Sequence, residues 1–190
     1  MEKMAKLEDR LYGRNRISQL KKLQGEYKHY IQLLEQQEAL EKQHAERLRT
    51  NAYDENGNLT ISGYAYRGGV GALQFDGQGN LDNGREIELG LLNRLNSAVD
   101  EYNVHRNDDD AKRYENRVNQ AQSDYDGFLK ALSEYESTLG KIEDTQDAIQ
   151  DYKEKIQDAA DAVVDAIQQG IQDMLDAMDN QRDFNKLFRD

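Results

Sequence analysis

Two glycine-rich segments carry the oxygen-bearing side chains that a calcium ion would need. Residues 54–59 and 76–81 share the pattern D-x-x-G-N-L, and an aromatic residue precedes each copy. In the first copy Asp54, Asn56 and Asn58 occupy alternate positions, as the ligands of a calcium loop do. An EF-hand loop also requires Gly at its sixth position and Glu at its twelfth, where this chain has Leu59 and Ala65. We therefore interpret both segments as tight turns, because Gly and Asn tolerate positive φ, and we predict no metal site.

The other residues with chemical potential also lack partners at a useful spacing. No pair among His29, His44 and His105 has the i,i+4 spacing of a helical zinc site, and the chain contains no cysteine. The glycines of residues 68–71 are not followed by the Gly-Lys-Ser/Thr of a phosphate-binding loop. Carboxylates are abundant, but no motif pairs two of them for acid–base catalysis. We expect no catalytic residue, no cofactor and no metal, and therefore no enzyme.

Composition favours long helices over a thick globular core. Hydrophobic residues make up 37% of the 190 residues and charged residues 33%, and proline is absent. The formal net charge is −12, with 11 basic and 8 acidic residues in residues 1–51 but 12 basic and 25 acidic residues in residues 86–190. Because an acidic surface repels phosphate, we expect no nucleic-acid contact from the C-terminal half.

Neither end of the chain nor its middle has the apolar run of a membrane or export segment. No stretch approaches the roughly 20 apolar residues that a membrane span needs. Residues 1–11 are charged and lack the apolar stretch of a signal peptide. We expect a soluble chain with no membrane span and no secretion signal of its own.

Three segments follow from the hydrophobic pattern and the glycines. Residues 1–51 predict an N-terminal helix with an amphipathic stripe. Residues 52–85 hold 8 of the 14 glycines and predict a small β-hairpin or ordered loop, followed by a capping box at Asn83 and Glu86. Residues 86–190 predict a long C-terminal coiled-coil helix, in which residues 107–110 mark either a break or a new helix start. The expected fold class is mainly α, with long coiled-coil helices and a small glycine-rich β-hairpin insertion.

The strongest pattern in the sequence is a run of apolar residues in alternating steps of three and four. A 3.5-residue period over about nine heptads predicts a left-handed coiled coil, and tyrosines in the same phase predict core packing. The predicted coiled-coil seam consists of Tyr114, Val118, Tyr125, Phe128, Leu132, Tyr135, Leu139, Ile142, Ile149, Ile156, Val163 and Ile167.

Three stretches carry a family resemblance. They are residues 53–58 (Tyr-Asp-Glu-Asn-Gly-Asn) between long helices, residues 135–139 (Tyr-Glu-Ser-Thr-Leu) and the acidic helix of residues 142–151. Over roughly residues 30–175 the chain resembles coiled-coil segments of bacteriophage tail tape-measure proteins and related internal virion proteins. The first stretch alone also looks like one unit of bacterial YD repeats, but two copies are too few for that architecture.

The phage resemblance implies a non-enzymatic virion component, made in the host bacterial cytoplasm and packaged in the tail or capsid. Its expected partners are further copies of the chain or other virion proteins, contacted through the coiled-coil seam. The alternative is a bacterial coiled-coil adaptor or a secreted effector-type binding module.

Overall fold

The computed structural model describes the backbone of residues 2–187 and the side chains of residues 15–179 and 181. Four helices account for 82% of the chain, which confirms the prediction of a mainly α fold. They are α1 (Glu2–Thr50), α2 (Ile61–Gly68), α3 (Gly84–His105) and α4 (Ala111–Leu187). Residue 1 and residues 188–190 of the predicted segments lie outside the described residues.

The predicted β-hairpin is absent, and a short helix takes its place. Within residues 2–187 the only β pairing consists of two isolated bridges, Tyr53 with Leu59 and Phe75 with Leu81. Each bridge closes one of the two D-x-x-G-N-L turns, so both turns form as predicted but no strand extends from them. Between the turns lies α2, which is why the β-prone residues there do not pair.

Local hydrogen bonds explain why α2 forms. Thr60 caps its N-terminus, since its Oγ1 accepts from the Gly63 N–H at 3.1 Å and its own N–H donates to the Ala52 carbonyl at 3.1 Å. Gly63 leaves no room for a side chain, because a Cβ there would lie 2.1 Å from the Ala52 oxygen. Gly69 ends the helix in the left-handed conformation, with φ 64°. A β-strand would lose this cap and this close packing.

The predicted capping box at the start of α3 does not form. Asn83 occupies the N-cap position, but its side chain makes no capping hydrogen bond. Its amide instead braces the preceding loop, accepting from the Gln74 N–H at 2.8 Å and donating to the Ala72 carbonyl at 2.9 Å. Two hydrogen bonds to the backbone of the preceding loop take the place of the reciprocal pair of a capping box.

The segment predicted as one C-terminal helix contains two helices. α3 ends at His105, and α4 begins at Ala111 after a turn that includes the acidic cluster of residues 107–110. Across this turn the rings of His105 and Tyr114 stack with centroids 4.3 Å apart, and Arg117 pairs with Glu101 at 2.7 Å. The acidic cluster therefore separates two helices. A break or a new helix start was predicted at residues 107–110.

The chain divides into two compact units, Met1–Gln36 with Gln146–Asp190, and Gln37–Thr145. We call these the hairpin unit and the core unit. The core unit contains a hydrophobic cluster to which all four helices contribute. Its buried members are Ala45, Leu48, Ile61, Ala65, Ile87, Leu91, Phe128, Ala131 and Tyr135.

In the hairpin unit, α1 lies against α4. The Gln24 side chain donates to the Ile156 carbonyl at 3.4 Å, and the rings of Tyr30 and Tyr152 stack with centroids 5.5 Å apart. Ile31, Ile149 and Ala159 are buried here. Among the helices in the described part of the chain, none has the length and apolar character to cross a membrane.

Candidate functional site

The first glycine turn uses its acidic side chain to hold itself together. Asp54 Oδ1 accepts from the backbone N–H groups of Asn56 and Asn58, each at 2.8 Å, and Oδ2 accepts from Asn58 Nδ2 at 3.0 Å. The hydrogen bond from the Asn58 side chain is the largest influence keeping the pKa of Asp54 below its usual value. Gly57 has φ 81°, which a side chain would strain. Both carboxylate oxygens are thus engaged within the turn.

The second glycine turn repeats this geometry and is also tied to α4. Asp76 Oδ1 accepts from the N–H groups of Gln78 and Asn80 at 2.8 Å, and the Asn80 side chain donates to Oδ2 at 2.9 Å. The Asn80 side-chain bond lowers the pKa of Asp76 in the same way. The carbonyl of Gly79, which has φ 89°, accepts a hydrogen bond from the Tyr135 hydroxyl. The repeated sequence therefore encodes a repeated turn.

The described side chains do not assemble a metal centre or a catalytic group. Among them, no three His, Cys, Asp or Glu residues come together in a way that could hold a metal ion. His105 contacts Asp108, with Nδ1 and Oδ2 2.7 Å apart, and His44 lies 3.9 Å from Glu134. Each of these is a contact of one histidine with one carboxylate.

One buried carboxylate joins three helices of the core unit. Asp124 of α4 is fully buried, and it pairs with Arg67 at the end of α2 and with Arg94 of α3, the latter at 3.4 Å. Arg94 also donates to the Arg67 carbonyl at 3.1 Å, and Gln120 Nε2 donates to Asp124 at 2.9 Å. Both oxygens of Asp124 thus accept hydrogen bonds from side chains of the protein, and the cluster positions α2 and α3 on α4.

The predicted seam residues of α4 differ in burial. Phe128, Tyr135 and Ile149 are buried, and Ile167 is 46% exposed. The rest of the predicted seam is partly buried, namely Tyr114, Val118, Tyr125, Leu132, Leu139, Ile142, Ile156 and Val163. The coiled-coil role of these residues stays a prediction, because the only helices available here belong to the same chain.

The sequence pattern did not predict a second row of buried residues on α4, which lies beside the predicted apolar seam. Asp124, Ala131, Thr138 and Thr145 are all buried at seven-residue intervals, one position before Tyr125, Leu132, Leu139 and Gln146. The Thr138 and Thr145 hydroxyls donate to carbonyls one turn earlier, at 2.9 and 2.8 Å. These small or polar residues give no hydrophobic signal, although their regular spacing in phase with Phe128 and Tyr135 could have indicated them.

In the hairpin unit, an apolar face near the C-terminal end of α4 remains about half exposed among the described side chains. We call it the distal face. Its side chains are between 46% and 67% exposed. It consists of Val164, Ile167, Ile171, Met174, Leu175 and Met178.

The distal face has coiled-coil spacing and a narrow width. Val164, Ile167, Ile171, Met174 and Met178 follow in steps of three, four, three and four, the pattern of heptad a and d positions. At about 100° of rotation per residue, the six side chains fill an arc of about 100° whose middle lies about 110° from the buried Ala159. The distal face is therefore turned away from Ala159, whereas the buried Ile149 falls within its arc at the same 100° per residue.

Charge is arranged around this face and not within it. Between residues 156 and 181 the chain has six aspartates and no Lys or Arg. At about 100° per residue, Asp161 and Asp179 come nearest, about 40° beyond the edge of the arc. Asp161, Asp173 and Asp176 each accept a hydrogen bond at 2.9 Å from a glutamine one turn earlier, on the solvent-exposed side. The edges of the distal face are thus nearly uncharged.

Comparison with known proteins gives no match to a family model, a curated protein or a solved structure.

Proposed function

We propose that the chain is a non-enzymatic structural component of a bacteriophage particle, a tail or internal virion protein that assembles through coiled-coil packing. The observation that carries this proposal is the distal face. Uncovered apolar surfaces of this kind usually mark protein contacts. The heptad spacing of the face favours a helix as the contacting element.

Two further features support an architectural role. The longest helices, α1 and α4, have 49 and 77 residues, far above the globular mean of about 11–12. The carboxylates of Asp54 and Asp76 in the two glycine turns and of Asp124 accept hydrogen bonds from within the chain. They therefore stabilise the fold of the core unit. A virion location follows from the phage assignment and is part of the same proposal.

The direct test is the protein composition of purified phage particles from cells that carry this gene. Mass spectrometry should find the chain at a fixed copy number per particle, retained after nuclease treatment and a high-salt wash. A Met174→Asp, Met178→Asp variant should be lost from the particles at an unchanged cellular level. Particles that never contain the wild-type chain would refute the proposal.

A second candidate function is a bacterial coiled-coil adaptor or secreted effector-type binding module. An open depression of about 510 Å³ on the core unit favours it. Leu81, Leu89 and Leu132 line the depression together with Arg85, Glu88 and Glu136. Apolar residues rimmed by opposite charges suit one side chain of a partner protein. Recovery of a stable bacterial partner that is lost on Leu89→Asp would favour this candidate over the virion role.

A further inference from the structure

We propose that the distal face is the contact between two copies of this chain, with α4 of one copy packed along α4 of the other. This inference rests on the proposed function, because it names the partner for the coiled-coil assembly. Three observations about the face and its surroundings lead to a second copy.

The first observation is that the face is self-complementary. A stripe with alternating three- and four-residue steps packs against an identical stripe by inserting each side chain between four side chains of the partner helix. From Val164 to Met178 the stripe spans 15 residues, or 14 steps of about 1.5 Å and about 21 Å in all. Two-fold symmetric contacts use one patch twice and close after two copies, so the distal faces of both copies are covered by each other.

The second observation is that the charges permit two acidic helices to approach each other. The positions that border the stripe are Val163, Gly170 and Ala177 on one side, and Asp161, Gln168 and Leu175 on the other. In a two-stranded coiled coil these bordering positions face the partner helix and decide which partners are accepted. With a single aspartate among six residues, an identical helix meets little repulsion.

The third observation disfavours the main rival, a basic amphipathic helix from another protein. Such a helix would place Lys or Arg beside the stripe, where it needs opposing carboxylates. Asp158, Asp165 and Asp176 lie at least about 80° beyond the arc of the distal face at 100° per residue. Only Asp161 and Asp179 come within about 40° of the arc, so a basic partner helix would find few carboxylates beside the stripe.

Disulfide trapping tests this contact, because the chain has no cysteine of its own. Val164→Cys, Ile171→Cys and Met178→Cys are single variants at the face, seven residues apart. Asp165→Cys and Gln172→Cys are the matched controls one residue round the helix. Each full-length variant is oxidised at micromolar concentration, and covalent dimer is measured on a non-reducing gel beside sedimentation equilibrium of the wild type.

We expect a dimeric wild type and at least fivefold more covalent dimer for the best face variant than for either control. Dimer in all three face variants indicates parallel helices. Dimer in Ile171→Cys alone, with Val164→Cys and Met178→Cys linking only when mixed, indicates antiparallel helices. Both patterns support the proposal.

Two results would overturn it. Equal trapping of face and control variants in a dimeric wild type would place the contact elsewhere on the chain. A monomeric wild type that is nevertheless present in phage particles would assign the distal face to a different virion protein. Absence from particles together with face-specific trapping would refute the virion role alone, so the two proposals fail separately.

Discussion

The Tyr135 hydroxyl donates a hydrogen bond to the carbonyl of Gly79, and this joins the middle of α4 to the tip of the second glycine turn. The Tyr135 ring is buried and meets Phe75, which precedes the same turn, with ring centroids 5.7 Å apart. Phe75 in turn has the Arg49 guanidinium 5.7 Å from its ring centroid. One side chain of α4 thus connects a turn that the sequence places 56 residues away with the end of α1.

Removing the Tyr135 hydroxyl should destabilise the chain and change its response to alkaline pH. Burial raises the pKa of Tyr135 above 10.0. Because the folded state disfavours ionisation, the stabilising contribution is complete below about pH 10 and is lost as pH rises from there through the higher folded pKa. Tyr135→Phe should cost about 1 kcal/mol at pH 7 and should weaken the loss of stability above pH 10. Urea unfolding at pH 7 to 11 measures both, and unchanged curves would contradict this account.

The buried Asp124 cluster should contribute more to the free energy of unfolding than an exposed carboxylate nearby. Asp124→Asn keeps the shape of the side chain but removes the charge that Arg67 and Arg94 share. Since both guanidinium groups are partly exposed, we expect a loss of about 1–3 kcal/mol, below the value for a fully buried pair. Asp126→Asn, two residues away and exposed, should change stability by less than about 0.5 kcal/mol. Equal urea midpoints for the two variants would show that the cluster is not structural.

The glycine turns give a matched test of backbone conformation. Gly57→Ala and Gly79→Ala place a side chain at φ 81° and 89°, and each should cost about 1–2 kcal/mol. Gly77→Ala is the control, because Gly77 lies outside the positive-φ set and a Cβ there meets nothing within 4 Å. It should change the unfolding free energy by less than about 0.5 kcal/mol. A control as harmful as the other two would mean that turn conformation is not the cause.

The same turns should weaken in acid. The pKa values of Asp54 and Asp76 are held below 3.8 by hydrogen bonds. Their contribution is present above pH 3.8 and is lost as pH falls through the lower folded pKa. Asn58→Ala and Asn80→Ala remove the largest cause of each shift, so both variants should lose less stability between pH 4 and pH 2 than the wild type. Thermal melts across this range measure the loss. Variants that lose as much stability as the wild type, or more, would contradict this account.

The sequence was sufficient for the long helices and for both turns. An absence of proline, a regular apolar pattern in residues 111–174 and a glycine at each positive-φ site are local signals, and each predicts its element without tertiary information. The segment 61–68 shows the limit. Ile61, Tyr64 and Tyr66 favour strand by propensity, but the Thr60 cap and the contact of Gly63 with Ala52 stabilise a helix that depends on residues outside the segment.

The candidate site shows a second limit. A stripe selected by apolarity identified Phe128 and Tyr135 but missed the buried Thr138, because a small polar residue can be buried where its hydroxyl bonds to its own helix. Similarly, the predicted seam included Ile167 but did not include Val164, Ile171 and Met178 of the distal face. The predicted seam and the distal face are adjacent apolar stripes of α4. The position of α1 decides which of them stays exposed, and the sequence of α4 alone does not contain that information.

Self-association should depend on the distal face and not on the charge of α4. Ile171→Glu and Gln172→Glu add the same charge at adjacent positions of one helix turn, but only Ile171 belongs to the face. A buried unpaired carboxylate costs several kcal/mol, so Ile171→Glu should raise the dimer dissociation constant at least about 100-fold. Gln172→Glu should change it by less than about threefold, since exposed charge contributes little.

Sedimentation equilibrium over a range of micromolar concentrations measures these constants, and circular dichroism shows whether each variant keeps its helix content. We expect the wild type and Gln172→Glu to associate and Ile171→Glu to sediment as a monomer with unchanged helicity. A wild type that stays monomeric at every concentration would contradict self-association through this face. If both variants associate as the wild type does, the dimer contact lies elsewhere, and the exposed apolar side chains of α4 need another occupant.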